Sequence, residues 1–388
     1  MPDQPLRPPH PPRRRARPGG RPLRVTMVTA RCLPYMGGIE THVAEVARRL
    51  ARRGVELEVL STDVTGELPP EETVDGYRMR RFPAYPPRRD YYLSPALCTA
   101  LAASRSDLVH VQGVHNGVPP LALATAHLRR LPAVLTFHTG GHSSPGRSAA
   151  REAQWRLEAP LLRRCARLVA VCRFEQEAFA RRLGLDPGAI ALVRNGSEPL
   201  PVDPAAAVPD GAPLLCSVGR LERYKGHHRV IAALPAVRAE APQARLVVAG
   251  AGPYEAELRD LARRLGVEGA VRFEAFGPED RGGLGALLAA SDALALLSDY
   301  EAHPVAVMEA LAAGTDVLAA ATSGLVELGD AGLVDLVDPD ADPAVLAKAL
   351  LATAGRRRFS SGPPALPSWD DCTDELLAVY DEVAQCAS

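Results

Sequence analysis

The sequence predicts an α/β protein built from two Rossmann-like domains, each with a parallel sheet, and three observations predict it. Short apolar runs rich in β-branched residues alternate with amphipathic stretches, the pattern of repeated strand–helix–strand units. That alternation is interrupted once, by the Pro- and Ala-rich segment 198–212 (EPLPVDPAAAVPDGA), and then restarts. A length of 388 residues is too great for one ordinary core and suits two domains.

In the first half the apolar runs place strands at 24–30, 55–60, 107–111, 133–138, 167–172 and 189–194, with helical patterns such as 39–53 and 151–166 between them. After the linker, strands are expected near 213–219, 244–250, 270–275, 292–297, 316–320 and 333–337. The last segment, 369–385, carries Trp369, Leu376, Leu377, Tyr380 and Val383 on one helical face, with Ser368 as its cap. It is expected to cross back and brace the first domain. The expected division is therefore a tail over 1–22, a domain over 23–200 completed by 369–388, and a second domain over 201–368. Ligands of open parallel sheets sit at the carboxyl ends of strands, so a cleft shared by the two domains is the expected site.

Composition narrows the class. Hydrophobic residues make up 47% and charged residues 23%, the balance of a soluble globular chain, and no apolar run reaches membrane-spanning length. Residues 1–22 hold eight prolines and six arginines and are expected to be disordered; Arg13, Arg14 and Arg15 are not followed by an export-type apolar stretch. A cytoplasmic protein is the expectation. Seven scattered cysteines without a C-x-x-C pair read as reduced thiols. The net charge of −1 hides an asymmetry: residues 23–200 carry 24 basic against 17 acidic residues, and 201–388 carry 15 against 28. A basic first half suits an anionic acceptor or peripheral contact with a membrane surface. Its arginines are not interleaved with aromatic residues, so no nucleic-acid partner is expected. Arginine outnumbers lysine 43 to two, the mark of a GC-rich, bacterial coding sequence, and singles out Lys225 and Lys348.

Five motifs carry chemistry. Gly37 and Gly38 follow the first strand and open a helix, where backbone can approach a ligand and free N–H groups meet an anion. In the second half, Gly219-Arg220-Leu-Glu-Arg-Tyr-Lys225-Gly226 again follows a strand; a guanidinium fork and an ammonium point charge suit a diphosphate. Gly250-Ala-Gly252-Pro253 resembles half a dinucleotide fingerprint, but Glu255 stands where the third glycine belongs, so it reads equally as a close-approach turn. Glu301 and Glu309 bracket a turn and the start of an Ala-rich helix, positions where carboxylates accept hydrogen bonds from sugar hydroxyls. Finally, Asp338-Pro-Asp340-Ala-Asp342 has a metal-binding look, but Asp342 before Pro343 reads better as a helix cap. His138 and His142 lack a metal-binding spacing. No metal site is expected.

Taken in order, GGIE at 37–40, the strand ending in FHT, Asn195-Gly196, GRLERYKG, VVAGAGP and the E-x7-E pair resemble the family-4 retaining glycosyltransferases over about residues 23–385. The resemblance implies a GT-B fold: two Rossmann-like domains facing each other across a cleft, the first binding acceptor and the second binding donor. It implies transfer of a hexose-type sugar from a UDP- or GDP-linked donor to an acceptor hydroxyl, with no cofactor and no metal. By the same resemblance Gly37 and Gly38 face the donor phosphates, Arg220 and Lys225 clamp the diphosphate, Glu301 holds hydroxyls of the donor sugar, Glu309 holds the ribose, and His138 points to the transferred sugar. Gly219, Gly252, Pro253, His303, Pro304 and Val305 complete the donor site. One departure stands out. The family's Glu-Gly-Phe-Gly is Glu301-Ala302-His303-Pro304 here, and proline lacks the N–H that could serve as a donor. The acceptor is expected to be a small molecule or a glycan, in bacterial glycoside or specialised-metabolite assembly. The alternatives are a non-catalytic nucleotide-sugar-binding protein of the same fold and a sugar-nucleotide epimerase.

Overall fold

A computed structural model describes residues 21–89, 91–114, 116–139, 145–356, 358–359 and 362–386. Most of the 1–22 tail and His142 lie outside the described residues. The elements in chain order are β1 (Arg24–Thr29), α1 (Gly38–Arg52), β2 (Glu56–Asp63), β3 (Glu71–Val74), β4 (Tyr77–Pro83), α2 (Pro95–Ala102), β5 (Leu108–Gln112), α3 (Val118–Leu128), β6 (Ala133–Thr136), α4 (Pro145–Leu162), β7 (Arg167–Ala170), α5 (Arg173–Leu183) and β8 (Ile190–Leu192). They continue with β9 (Leu214–Val218), α6 (His227–Glu240), β10 (Arg245–Ala249), α7 (Glu255–Arg264), β11 (Val271–Glu274), α8 (Arg281–Ala290), β12 (Ala293–Leu296), α9 (Val305–Ala312), β13 (Asp316–Ala320), α10 (Leu325–Asp330), β14 (Asp335–Val337), α11 (Pro343–Arg356) and α12 (Trp369–Cys386).

The described chain divides into two compact units, one of residues 21–139, 146–196 and 368–386, the other of 197–367. In the first unit an eight-stranded sheet runs β3-β4-β2-β1-β5-β6-β7-β8. Every neighbouring pair is parallel except β3 with β4. Strand alternation sends Val109 and Val111 into a core with Ala122 and Leu123 of α3, and sends His110 the other way, onto Tyr380 of α12. The C-terminal helix thus belongs to the first unit. It packs against α1 and buries Trp369, Leu376, Leu377, Tyr380 and Val383, the face read from its periodicity. Ser368 caps it: the Asp371 N–H donates to Ser368 Oγ at 3.0 Å, and the Ser368 hydroxyl returns a bond to the Asp371 carboxylate at 2.7 Å. Arg53 adds ion pairs to Asp370 and Asp374 at 2.7 and 2.6 Å.

In the second unit six parallel strands run β11-β10-β9-β12-β13-β14. Val248, Ala293 and Leu318 pack with helices α6, α7 and α11 on one face, and Val247, Leu294 and Val317 pack with α8, α9 and α10 on the other. In both sheets the chain starts in the middle, winds outward, and returns to the other side of its first strand. The order reverses between β1 and β5 in one unit and between β9 and β12 in the other. Such a switch leaves a crevice beyond the strands' carboxyl ends, because the connections on either side leave in opposite directions.

The hairpin β3–β4 was not anticipated. Its residues are rich in charge, and only Tyr77, Met79 and Arg81 along β4 are buried. The signal for it is the Asp75-Gly76 pair, with φ of 46° and 90°, a turn that only such residues take easily. The strand expected at 133–138 ends at Thr136, since His138 turns to a φ of 47°. All seven cysteines are thiols outside any disulfide. No helix among the described residues is long and apolar enough to cross a membrane.

Candidate functional site

In the second unit the chain leaves β9 through Gly219–Gly226 before α6 begins. Gly226 has a φ of 74°, and a Cβ there would overlap the carbonyl oxygen of Leu297 at the end of β12. The glycine therefore lets the turn after β9 lie directly on the strand across the switch point, and seats Lys225 beside the loop that follows β12. Lys225 Nζ lies 2.6 Å from Glu301 Oε1, which also accepts the Ser298 hydroxyl at 2.8 Å. The Glu301 backbone is fixed as well. Its N–H donates to Ser323 Oγ at 2.9 Å, and its carbonyl accepts the Gly324 N–H at 2.9 Å. Burial disfavours the Lys225 ammonium, but the adjacent Glu301 carboxylate outweighs it and holds the lysine above its ordinary pKa.

Arg220 shares this turn, half exposed, 3.0 Å from the Tyr224 hydroxyl and 3.1 Å from Glu222. The Tyr224 ring lies under the Lys225 ammonium at 5.4 Å. Behind them His227 is fully buried, Nδ1 2.8 Å from Ser217 Oγ and Nε2 3.2 Å from the Arg220 carbonyl, and burial lowers its pKa to about 4. It is a neutral brace under the cationic turn. The turn after β10 packs on the same segment: the Leu221 N–H donates to Ala251, and the Tyr254 N–H donates back to the Leu221 carbonyl, both at 2.9 Å. Gly250, with a φ of 149°, has no room for a Cβ against the Gly219 carbonyl. Gly226, Gly250 and Gly252 are thus demanded by contact between protein segments, and Pro253 follows Gly252 in the same turn.

Glu301 precedes α9 and Glu309 lies in its second turn, with His303 buried between. Pro304 is the residue before the helix and its carbonyl accepts from Val307 and Met308 at 3.2 and 3.3 Å. The missing proline N–H leaves those of Val305 and Ala306 as the helix's free amino-terminal donors. Glu309 is buried and paired with Arg281, the first residue of α8. Arg281 had no sequence signal: it sits 28 positions upstream, in a segment whose periodicity marks only a helix. The carboxyl ends of β9, β10 and β12 and the start of α9 therefore assemble Gly219, Arg220, Lys225, Gly252, Pro253, Glu301, His303, Pro304, Val305 and Glu309 in one unit.

In the first unit Gly37 adopts extended backbone and α1 starts at Gly38, with Glu40 in its first turn. His138, just past β6, is buried; its Nε2 lies 2.8 Å from Gln112 Oε1, and its ring packs edge-on against His42 at 4.5 Å. His42 in turn lies 2.9 Å from Asn195 Oδ1, and burial lowers its pKa to about 4. Sequence reasoning named His138 but not Gln112, His42 or Asn195 as its setting. Their contacts join four separate segments, which no local pattern encodes.

The DPD segment pairs elsewhere. Asp340 faces Arg229 at 3.2 Å, Asp338 accepts the Asp340 N–H at 2.9 Å, and Asp342 accepts the Ala344 N–H at 2.9 Å as the cap of α11. Among the described residues no three His, Cys, Asp or Glu side chains gather as metal ligands would.

Comparison with known proteins agrees with this architecture. Residues 36–199 match Glycosyltransferase Family 4, and residues 203–353 match Glycosyl transferases group 1. A D-inositol 3-phosphate glycosyltransferase of Nocardiopsis dassonvillei is 30% identical over 89% of each chain. A glycogen synthase of Mycobacterium tuberculosis is 30% identical over 92% of this chain and 94% of that one. Among solved structures, sucrose-phosphate synthase of Thermosynechococcus elongatus superposes with a TM-score of 0.74 at 22% identity, covering 94% of this chain and all of the other. HepE of Anabaena, solved with UDP-glucose, gives 0.67 at 18% identity, covering 94% and 99%.

Proposed function

The chain belongs to the family-4, group 1 glycosyltransferases, a GT-B fold, and from that premise we propose that it moves a hexose-type sugar from a UDP- or GDP-linked donor to an acceptor hydroxyl with retention and without a metal. The observation that carries this reading is the Lys225–Glu301 pair at the switch point of the second unit, with Arg220 in the same turn and the start of α9 beyond it. The second unit binds the donor and the first binds the acceptor.

In the reaction the bond between the anomeric carbon and the diphosphate oxygen breaks and a bond to the acceptor oxygen forms. The acceptor's proton passes to the departing phosphate on the same face. Negative charge grows on the leaving diphosphate, and Arg220, Lys225 and the N–H groups of Val305 and Ala306 meet it with donors already in place. Within the second unit Glu301 takes hydroxyls of the donor sugar and Glu309 takes the ribose; within the first, Gly37 and Gly38 offer the start of α1 to a phosphate and His138 offers its imidazole to the transferred sugar. His303 in place of the family's phenylalanine, and Pro304 in place of its second glycine, reshape the sugar pocket. The relatives act on different acceptors by name, so the acceptor is left as a small molecule or glycan, in bacterial glycoside or specialised-metabolite assembly in the cytoplasm.

The test is a panel of UDP- and GDP-sugars with candidate acceptors, products read by mass spectrometry and the anomeric configuration by NMR. Retained configuration and turnover that persists in EDTA are expected. Inversion, or complete loss in EDTA restored by magnesium, would overturn the corresponding part.

A further inference from the structure

The backbone at His138 is left-handed, with a φ of 47°, a conformation that is costly for a non-glycine residue and persists only where its neighbours hold it. The next residue shows what holds it. The Thr139 N–H donates to Glu175 Oε1 at 2.5 Å and the Thr139 hydroxyl bonds the same oxygen. Glu175 Oε2 accepts the Val171 N–H at 3.1 Å, from the turn that leaves β7. Glu175 stands in the first turn of α5 and is completely buried. A carboxyl group in such a place is costly unless its oxygens are fully used, and here three donors converge on it. It ties the loop after β6 to the start of α5, one residue from His138. On the far side Gln112 Oε1 holds the imidazole at Nε2, 2.8 Å away.

We propose that Glu175, acting through Thr139, is the positioning residue that keeps His138 in the left-handed turn that aims its imidazole. This rests on the transferase reading, in which His138 stands beside the transferred sugar. Glu175 itself does not touch substrate. A glutamine keeps one acceptor oxygen but turns an amide N–H₂ toward a backbone donor, so it cannot hold both turns at once.

The test compares Glu175→Gln, Thr139→Val and Thr139→Ser in the full chain, alone and in a His138→Ala background. Thr139→Val keeps the backbone N–H and loses the hydroxyl; Thr139→Ser keeps both. Misplacing a catalytic group by about 1 Å costs on the order of a hundredfold. Glu175→Gln and Thr139→Val are therefore expected to lower kcat by about ten- to a hundredfold with UDP affinity unchanged, and Thr139→Ser to restore it. In the His138→Ala background neither should lower kcat further. Equal losses in both backgrounds, or no loss in either, overturn the proposal. A readout free of turnover separates this from failure of the transferase reading. The imidazole Cε1–H NMR signal of His138, assigned with His138→Gln, should move in Glu175→Gln and Thr139→Val while those of His227 and His303 stay. An unmoved His138 signal overturns the proposal even where the wild-type chain transfers sugar. A shifted signal in a protein without transferase activity leaves the tether standing and removes the reaction. Should Glu175→Gln not fold, the Thr139 pair decides.

Discussion

Lys225 and Glu301 meet at 2.6 Å from the ends of two adjacent strands that lie on opposite sides of the point where the sheet order reverses. Each is the other's nearest opposite charge, and both are largely buried. Losing one leaves the other as an uncompensated charge in a dry place. Lys225→Ala is expected to lower kcat by about a hundred- to thousandfold. The Lys225→Ala, Glu301→Gln double variant should lose far less than the product of the two single losses, because the residues act as a unit. Steady-state kinetics on the four proteins checks this; multiplicative losses would show that the pair is not coupled.

Glu309 is tied to Arg281, so the carboxylate proposed to hold the ribose is aligned before any ligand arrives. Glu309→Ala is expected to weaken UDP or GDP binding by about ten- to a hundredfold, the worth of one charge-assisted hydrogen bond. Arg281→Ala should weaken it less, since the carboxylate remains but is no longer held. Isothermal titration gives both values, and unchanged nucleotide affinity in Glu309→Ala would remove that residue from the site.

Gly226→Ala puts a methyl group onto the Leu297 carbonyl in a left-handed turn. The conformation alone costs about 1–2 kcal/mol, and the overlap forces the Lys225 turn off β12. A lower Tm together with weaker nucleotide binding is expected. Gly269→Ala, where a methyl group meets open space, is the control and should change neither.

Stability should fall toward both ends of the pH range. Burial lowers His42 to about 4 and His110 to about 3, so below pH 6.5 the unfolded chain takes protons that the folded chain refuses. Their effect is absent above pH 6.5 and grows as pH falls through that window. Burial raises Glu158 and Glu375 to about 7, so their contribution is present below the ordinary glutamate pKa and is lost as pH rises toward 7. Glu158→Gln keeps the acceptor for Gln154, which donates at 2.8 Å, and cannot ionise. Its Tm should exceed that of the wild type at pH 8 and match it at pH 4. A Tm no higher than wild type at pH 8 would show that the ionised Glu158 is not under strain in the fold.

Which parts of this were legible beforehand follows from the range over which each signal acts. The strands β1, β5, β9 and β12 were placed within a residue or two because a doubly covered strand is a continuous apolar run. The charged β4, lying near a sheet edge, gives no such run and was missed, although Asp75-Gly76 marked the turn. The face of α12 was legible from helical periodicity, and Ser368 from cap chemistry. Lys225 stood out by its rarity, and Glu301 and Glu309 by their spacing around a helix start.

Local order therefore decided the elements, their sequence along the chain and the glycine turns that end them, because periodicity and turn chemistry act between residues close in the chain. The partners of the charges were decided only by the tertiary structure. Glu301 meets a lysine 76 residues away, Glu309 an arginine on α8, and His138 a glutamine from β5 with Glu175 behind its neighbour. A buried charge takes whichever opposite group packing brings within about 3 Å, and that is settled by which strand ends become neighbours in the sheet.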